Sequence, residues 1–159
     1  MATSEQSVSS ADLRLVRVIA DYQFGPGVGE KLFPEGCEVK KSAQNRLRGV
    51  SLGGVLLCTF GRDSLINLAE GGARRLAEIG TDKYVVAADE AVGFVRRGRS
   101  LFAKHVVGHG EFYAGEEVII LDKSGRLVSW GRALWSSYEM SDLSGVAVIR
   151  QRGKDKDVQ

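Results

Sequence analysis

The stretch Gly98-Arg99-Ser100-Leu101-Phe102-Ala103-Lys104-His105-Val106-Val107 decides how the second half of the chain is interpreted. Residues 89–97 before it predict a short helix, with Asp89 as N-cap and Gly98 as the stop after two arginines in the last turn. Residues 101–107 are largely apolar and predict a buried strand. The predicted helix therefore ends in a glycine turn that leads directly into a strand.

Four cations surround this turn. A glycine lets the backbone come close to a ligand, and positive side chains on both sides could hold a phosphate. They are Arg96, Arg97, Arg99 and Lys104. On its own the stretch is equally compatible with an ordinary helix-to-strand loop whose charges are solvated.

The order of predicted elements around the turn adds information. A strand over 84–88 precedes the helix, and further strands are predicted over 112–122, 127–134 and 145–150. This order resembles the PUA domain, the RNA-binding module named after pseudouridine synthase and archaeosine transglycosylase, over residues 83–152. The motifs that carry the resemblance are Gly98-Arg99-Ser100-Leu101, Gly115-Glu116-Glu117-Val118, and Gly131-Arg132-Ala133-Leu134 followed by Ser136, Ser137 and Glu139-Met140.

The first half predicts a small α+β domain. Leu15, Ile19 and Tyr22, with Val16 beside them, have helical spacing and favour an amphipathic helix over 12–24, whose apolar face they form, over a strand. Strands are expected over 36–41, 48–52, 55–60 and 64–68, with Gly53-Gly54 as a hairpin turn. A second helix over 69–79 ends at Gly80.

The first half also resembles a known domain. The segments that carry this resemblance are Ala20-Asp21-Tyr22-Gln23-Phe24-Gly25, Leu32-Phe33-Pro34 and Glu70-Gly71-Gly72-Ala73-Arg74-Arg75-Leu76. They are similar to the domain before PUA in archaeal archaeosine tRNA-guanine transglycosylase. The expected fold class is therefore α+β: a disordered tail (1–12), a small α+β domain (13–81), a PUA-type β-barrel with short helices (83–152) and a charged tail (153–159).

Bulk properties place few limits on function. The 159 residues carry a net charge of +2, with 12 Lys and Arg against 10 Asp and Glu in residues 83–159 and 10 of each before them. Any potential that attracts RNA must therefore be local. The chain has no apolar run of membrane-spanning length and no secretory signal, so we expect a cytoplasmic protein without membrane contact. Cys37 and Cys58 are expected to be free, buried thiols, with a disulfide as the alternative.

Nothing in the sequence predicts catalysis, a cofactor or a metal. The resemblance implies that transglycosylation requires barrel aspartates and a cysteine-rich zinc site, and this chain has neither. His105 and His109 share a face on the predicted strand, which leaves a metal pair as a minor alternative. Glu116 and Glu117 are expected to be a solvated rim. The glycines of 25–29 lack the pattern of a phosphate loop and predict a chain reversal.

The PUA resemblance implies a role for each residue of the turn. Gly98 would let the phosphate backbone approach, Arg99 and Ser100 would donate to phosphate or ribose, and Leu101 and Ala103 would shape the surface. Charge would come from the turn, the second PUA motif and the final strand, and His105 could stack on a base. The RNA-binding set is thus Arg96, Arg97, Gly98, Arg99, Ser100, Leu101, Ala103, Lys104, His105, Arg132, Arg150 and Arg152. For Arg96 and Arg97, solvated helix-end charge is the alternative, and Ser136 is expected to form a capping box with Glu139.

These roles lead to one functional expectation and two alternatives. Phosphate contacts position RNA without reading its sequence, so recognition should be of shape. The resemblance implies binding to the acceptor stem and 3′ end of tRNA or to another structured RNA, with a catalytic tRNA-modification subunit as the expected protein partner. The alternatives are a translation or ribosome-assembly factor and a protein-interaction adaptor that binds no RNA.

Overall fold

The computed structural model describes residues 2–152, with side chains from Ser10 onward. The predicted charged tail over 153–159 lies outside the described residues. The chain divides into two compact units, Met1–Ile79 and Gly80–Gln159, each with its own sheet. Within the described part, no helix has the length and apolar character needed to cross a bilayer.

The first unit is an antiparallel four-stranded sheet with three helices, and its strand order is β1-β2-β3-β4. The predicted strands, helices and Gly53-Gly54 turn are all present. In chain order the elements are α1 (Ala2–Phe24), α2 (Val28–Leu32), β1 (Glu38–Lys41), β2 (Leu47–Leu52), β3 (Val55–Phe60), β4 (Ile66–Leu68) and α3 (Glu70–Ile79).

Helix α1 differs from the prediction in its start and in its buried face. It begins at Ala2, so residues 2–12 are helical and the expected disordered tail is corrected. The core face consists of Leu13, Val16, Ala20 and Phe24, whereas Leu15 and Tyr22 are exposed and Ile19 is half-buried. Both apolar sets have helical spacing, so periodicity alone could not identify the buried one.

Polar side chains at the end of α1 determine which face turns inward. The Asp21 carboxylate accepts the Gly29 N–H at 2.6 Å, and the Gln23 side chain accepts the Ile66 N–H at 2.6 Å and donates to the Ile66 carbonyl at 3.1 Å. These bonds tie α1 to α2 and β4. The glycines between the helices form the predicted reversal, with the Gly25 N–H donating to the Asp21 carbonyl at 3.0 Å.

Both cysteines of this unit are free and buried, as predicted. Burial raises the pKa of the Cys58 thiol to about 12, and it also raises the pKa of Cys37. A thiol with so high a pKa is almost wholly protonated near neutral pH, and it is therefore a weak nucleophile. Cys58 is therefore a core residue and a poor candidate for a nucleophile.

The second unit contains a five-stranded sheet of order β6-β5-β7-β8-β9, in which β5 and β7 are parallel and the other neighbours antiparallel. Its core joins strand residues such as Val85, Val118 and Ile120 to Val95 of the helix. The elements are β5 (Tyr84–Ala87), α4 (Asp89–Arg96), a 3₁₀ turn (Ala103–His105), β6 (Val106–His109), β7 (Glu117–Leu121), β8 (Leu127–Ala133), a 3₁₀ helix (Ser137–Asp142) and β9 (Ile149–Gln151).

The predicted strand over 101–107 is wrong in detail, because this segment turns a corner. Phe102 forms a bridge with Ala147, and the Val148 N–H donates to the Leu101 carbonyl at 2.9 Å. The chain then makes the 3₁₀ turn and continues as β6, which pairs with β5. Residues 101–109 thus hydrogen-bond on one side to the residues that lead into β9 and, through β6, on the other side to β5. It closes the sheet into the barrel that the sequence predicted.

Two helix-start predictions have different outcomes. Ala88, not Asp89, is the N-cap of α4, and Asp89 is its first helical residue, where its charge still favours the positive end of the helix dipole. Ser136 forms the predicted capping box with Glu139, whose carboxylate accepts the Ser136 N–H at 2.9 Å. The next residue, Ser137, is buried, and its hydroxyl accepts the Phe112 N–H at 3.0 Å.

Candidate nucleic-acid interface

The turn after α4 is a Schellman motif, the hydrogen-bonded helix ending that favours glycine. Gly98 has φ +90°, its N–H donates to the Val95 carbonyl at 2.9 Å, and the Arg99 N–H donates to the Phe94 carbonyl at 3.0 Å. A side chain at this φ would be strained, which explains the glycine. We call residues 97–100 the cationic bend. All four residues of the cationic bend are exposed.

The cationic bend lies beside the final strand. The Gln151 side chain donates to the Arg99 carbonyl and also contacts the Ser129 hydroxyl, 3.0 Å away on β8. Residues 101–103 pair with 146–148 just before β9. These bonds bring the backbone of the bend next to β9, the strand that carries Arg150. No sequence signal pointed to Gln151, because only the closed barrel brings it to the bend.

The cations at this surface are available for a ligand. Arg97, Arg99, Lys104 and Arg150 are exposed, and within residues 10–152 no carboxylate forms an ion pair with any of them. The Arg97 guanidinium carbon lies 6.0 Å from the centre of the Phe94 ring, a cation–π distance. Arg96 is half-buried, which limits its reach.

Two arginines face each other across β8 and β9. Arg132 and Arg150 are directly opposed in the antiparallel register, so their side chains lie on the same face of the sheet. Like charges in such a pair are unfavourable by themselves. An anion lying across both arginines would turn this repulsion into attraction.

Two predicted contact residues are buried, and a third is engaged in an ion pair. Leu101 and Ala103 are 0% and 6% exposed, so they anchor the bend to the core instead of shaping its surface. Arg152 pairs with Glu117, which is 3% exposed and not part of a solvated rim. The neighbouring Glu116 is half-buried and pairs with Lys83 at 3.1 Å, so the predicted rim is wrong for both glutamates.

Ser100, His105 and His109 differ in their exposure and in the secondary structure around them. Ser100 is exposed on the bend, while His105 lies half-buried in the 3₁₀ turn rather than on a strand. His109 ends β6, and its Nδ1 lies 2.8 Å from the Gly110 carbonyl. No group of three or more potential metal ligands exists within the described residues.

Gly131 of the second PUA motif has a steric explanation. A Cβ atom at this position would lie 2.1 Å from the Arg150 carbonyl oxygen. Glycine is therefore needed for β9 to approach β8, and this approach puts Arg150 opposite Arg132.

Comparison with known domain families defines the class of protein. Residues 83–153 match the family model of the PUA domain, and residues 14–81 match that of the patch-forming domain C2 of tRNA-guanine transglycosylase. The chain therefore contains a PUA domain, preceded by a domain that matches the C2 model.

Its relatives make the resemblance more specific. The chain resembles the C-terminal part of archaeal tRNA-guanine(15) transglycosylase. It is 38% identical to that of Methanothermobacter thermautotrophicus over 149 residues, which cover 89% of this chain and 23% of the relative. With that of Thermoplasma volcanium it shares 30% identity over 163 residues, covering 99% and 26%. The chain thus spans about a quarter of the length of these relatives.

Solved structures support the fold. A hypothetical protein from Pyrococcus horikoshii superposes with a TM-score of 0.73 at 20% identity, covering 94% of this chain and 93% of its own. A conserved PUA domain protein from Thermoplasma acidophilum gives a TM-score of 0.67 at 14% identity, with the same coverage. Both agree with the α+β architecture described above.

Proposed function

We propose that this protein binds structured RNA through the cationic bend and β9, and that its RNA is tRNA. The observation that carries the proposal is the set of four exposed cations on and after a glycine turn and on β9 of a PUA domain, none of them paired with a carboxylate of residues 10–152. Phosphate groups are the ligands that such a cluster favours, because Lys and Arg side chains replace the counterions of a nucleic acid.

The choice of tRNA rests on the relatives. Those that match nearly the whole chain are named tRNA-guanine(15) transglycosylase, and the first unit matches a domain of tRNA-guanine transglycosylase. We place the contact at the acceptor stem and 3′ end. A regular A-form helix is read through its shape and its phosphates, which suits a surface that presents several exposed cations.

The proposed role is non-catalytic. These 159 residues hold two cysteines, too few for a cysteine-rich zinc site, and burial keeps the Cys58 thiol protonated. A partner would supply the modification chemistry while this chain positions the tRNA. Affinity capture from a host extract, followed by mass spectrometry, is expected to recover a tRNA-modification enzyme with tRNA.

Competition between defined RNAs tests the target. Fluorescent full-length tRNA is bound to the protein and displaced with an acceptor-stem minihelix, the same minihelix without its single-stranded 3′ end, or an anticodon-stem hairpin. We expect the complete minihelix to compete about as well as tRNA and the anticodon hairpin to compete poorly. Equal competition by all three RNAs would contradict the acceptor-stem assignment.

Charge reversal tests the surface. Arg97→Glu combined with Arg99→Glu should abolish the tRNA complex while the circular dichroism spectrum stays unchanged. Arg74→Glu is the matched control, because Arg74 is exposed on α3 and already paired with Glu70 at 2.7 Å. If the double variant bound tRNA as the unaltered chain does, RNA binding at the bend would be refuted.

A further inference from the structure

An exposed aromatic pair lies on the PUA unit away from the cationic bend. Tyr113 and Tyr138 are 62% and 61% exposed, and their ring centres lie 5.8 Å apart with a tilt of 40°. The Gly115 N–H donates to the Ala133 carbonyl at one edge of β8, and β9 pairs along the other edge of β8. In the order of hydrogen-bonded strands, β8 and β9 therefore lie between the Tyr113 segment and the bend. The proposed RNA contact does not use these tyrosines.

Hydrogen bonds hold the pair in place. Glu116 accepts the Tyr113 N–H at 2.8 Å and is itself paired with Lys83. One residue earlier, Phe112 is bonded through both its N–H and its carbonyl to Ser137, which directly precedes Tyr138. Both tyrosines therefore extend from fixed backbone, and ordering them costs little when a ligand binds.

The surroundings of the pair are acidic. The exposed Glu111 carboxylate raises the pKa of Tyr138, and hydrogen bonding with Tyr113 and Glu111 contributes to the same rise. Lys83 donates to the Glu111 carbonyl at 3.2 Å and to Glu116, so its charge is engaged within the protein. A carboxylate beside the Tyr138 hydroxyl repels phosphate, and together with the two exposed rings it favours a cation.

We propose that Tyr113, Tyr138 and Glu111 form a docking site for an arginine side chain of a protein partner. A guanidinium is planar, stacks on aromatic rings and presents a fork of donors to a carboxylate, so it fits two tilted rings beside Glu111 better than an ammonium does. Because this site and the bend are separate and opposite in charge, one molecule could hold RNA and a protein at once. The inference does not depend on the proposed RNA function.

Titration by NMR with a defined probe tests the site. The ¹⁵N-labelled full chain is titrated with acetyl-Gly-Arg-Gly-amide and, in parallel, with the same peptide containing citrulline, the neutral isostere of arginine. We expect saturable shifts of the Tyr113, Tyr138 and Glu111 amides with the arginine peptide only. An equal response to the citrulline peptide would overturn the proposal.

Two variants of Tyr138 distinguish the contribution of the aromatic ring to binding from that of the hydroxyl group. Tyr138→Phe keeps the ring face and should bind nearly as well, whereas Tyr138→Leu should weaken binding about two- to fivefold, the effect of one exposed cation–π contact. Glu111→Gln should also weaken binding and serves if the leucine variant fails to fold. Tyr22→Leu, in the first unit, is the matched control because Tyr22 is 80% exposed. Unchanged affinity in both Tyr138→Leu and Glu111→Gln would refute the site.

Two further titrations identify the source of the cation. If spermidine shifted the same amides with equal or higher affinity than the arginine peptide, the site would be one for small polyamines. If tRNA shifted these amides and not those of residues 97–104, the pair would be part of an RNA surface. Either result would overturn the assignment to a protein partner.

Discussion

Replacing Arg97 and Arg99 by glutamine should halve the salt dependence of tRNA binding. The two side chains are half of a set of four exposed cations, the others being Lys104 of the 3₁₀ turn and Arg150 of β9, for which no carboxylate ion pair exists within residues 10–152. Glutamine keeps much of the side-chain length and removes only the charge. The bend itself should persist, since the Gly98 and Arg99 backbone N–H groups and not the arginine side chains bond the last turn of α4.

The magnitude follows from counterion release. Each phosphate contact contributes about −0.7 to −0.9 to the slope of log K against log salt, so four contacts give a slope on the order of −3 to −4. Between roughly 50 and 200 mM salt the affinity of the unaltered chain should then fall about 10²-fold. With two contacts left, the slope should be about −1.5 to −2 and the loss about tenfold.

Fluorescence anisotropy of labelled tRNA over a series of salt concentrations measures both slopes. Arg74→Gln is the control, because its charge is already paired with Glu70, and it should leave the slope unchanged. A slope near zero for the unaltered chain would refute electrostatic docking altogether. An unchanged steep slope in the double variant would show that the phosphate contacts lie elsewhere on the chain.

Three other predictions concern the framework that holds this surface. Arg152→Met should lower the free energy of unfolding by about 2–3 kcal/mol, because it removes the Arg152 cation from the buried Glu117 carboxylate, although partial exposure of Arg152 reduces the effect. Urea denaturation measures this loss, and adding Glu117→Gln should restore part of it. Gly98→Ala should cost about 1–2 kcal/mol, because φ is +90° there; a smaller loss in the urea midpoint would show that the bend relaxes. Cys58, with a pKa of about 12, should resist iodoacetamide at pH 8 in the folded protein and react once unfolded, as peptide mass spectrometry would detect. Since burial raises that pKa from its ordinary value of 9.0 to about 12, the resulting stabilisation should be fully present below pH 9.0 and should be lost progressively as the pH rises from there to about 12.

The sequence predicted the elements well where local chemistry determines them. Gly98 ends α4 because only glycine readily takes its positive φ, and Ser136 with Glu139 caps the 3₁₀ helix as the spacing indicated. The order of strands and the PUA resemblance then gave the barrel. Each of these inferences depends on residues close in the chain or on a motif with fixed spacing.

The predictions from sequence were wrong where contacts between segments far apart in the chain determine the local structure. The segment 101–107 looks like one apolar strand, but it has to bond two different strands, so it breaks at Ala103–His105. Glu117 looks like a surface residue at a strand entry until Arg152, 35 positions later, pairs with it. No periodicity within either segment reports these partners.

The corner at residues 101–105, where the predicted strand is broken, also explains how the cationic bend is held in place. Leu101 and Ala103 lie in the core immediately after the bend, and their backbone bonds to residues 146–148 fix its distance from β9. Arg99 and Arg150 therefore keep their spacing only while the barrel is closed. A cluster of cations assembled from distant parts of the chain would disperse on unfolding, because mutual repulsion favours separation. The contacts that close the barrel thus offset this repulsion, and an anion bound across the cluster would add to the stability of the closed state.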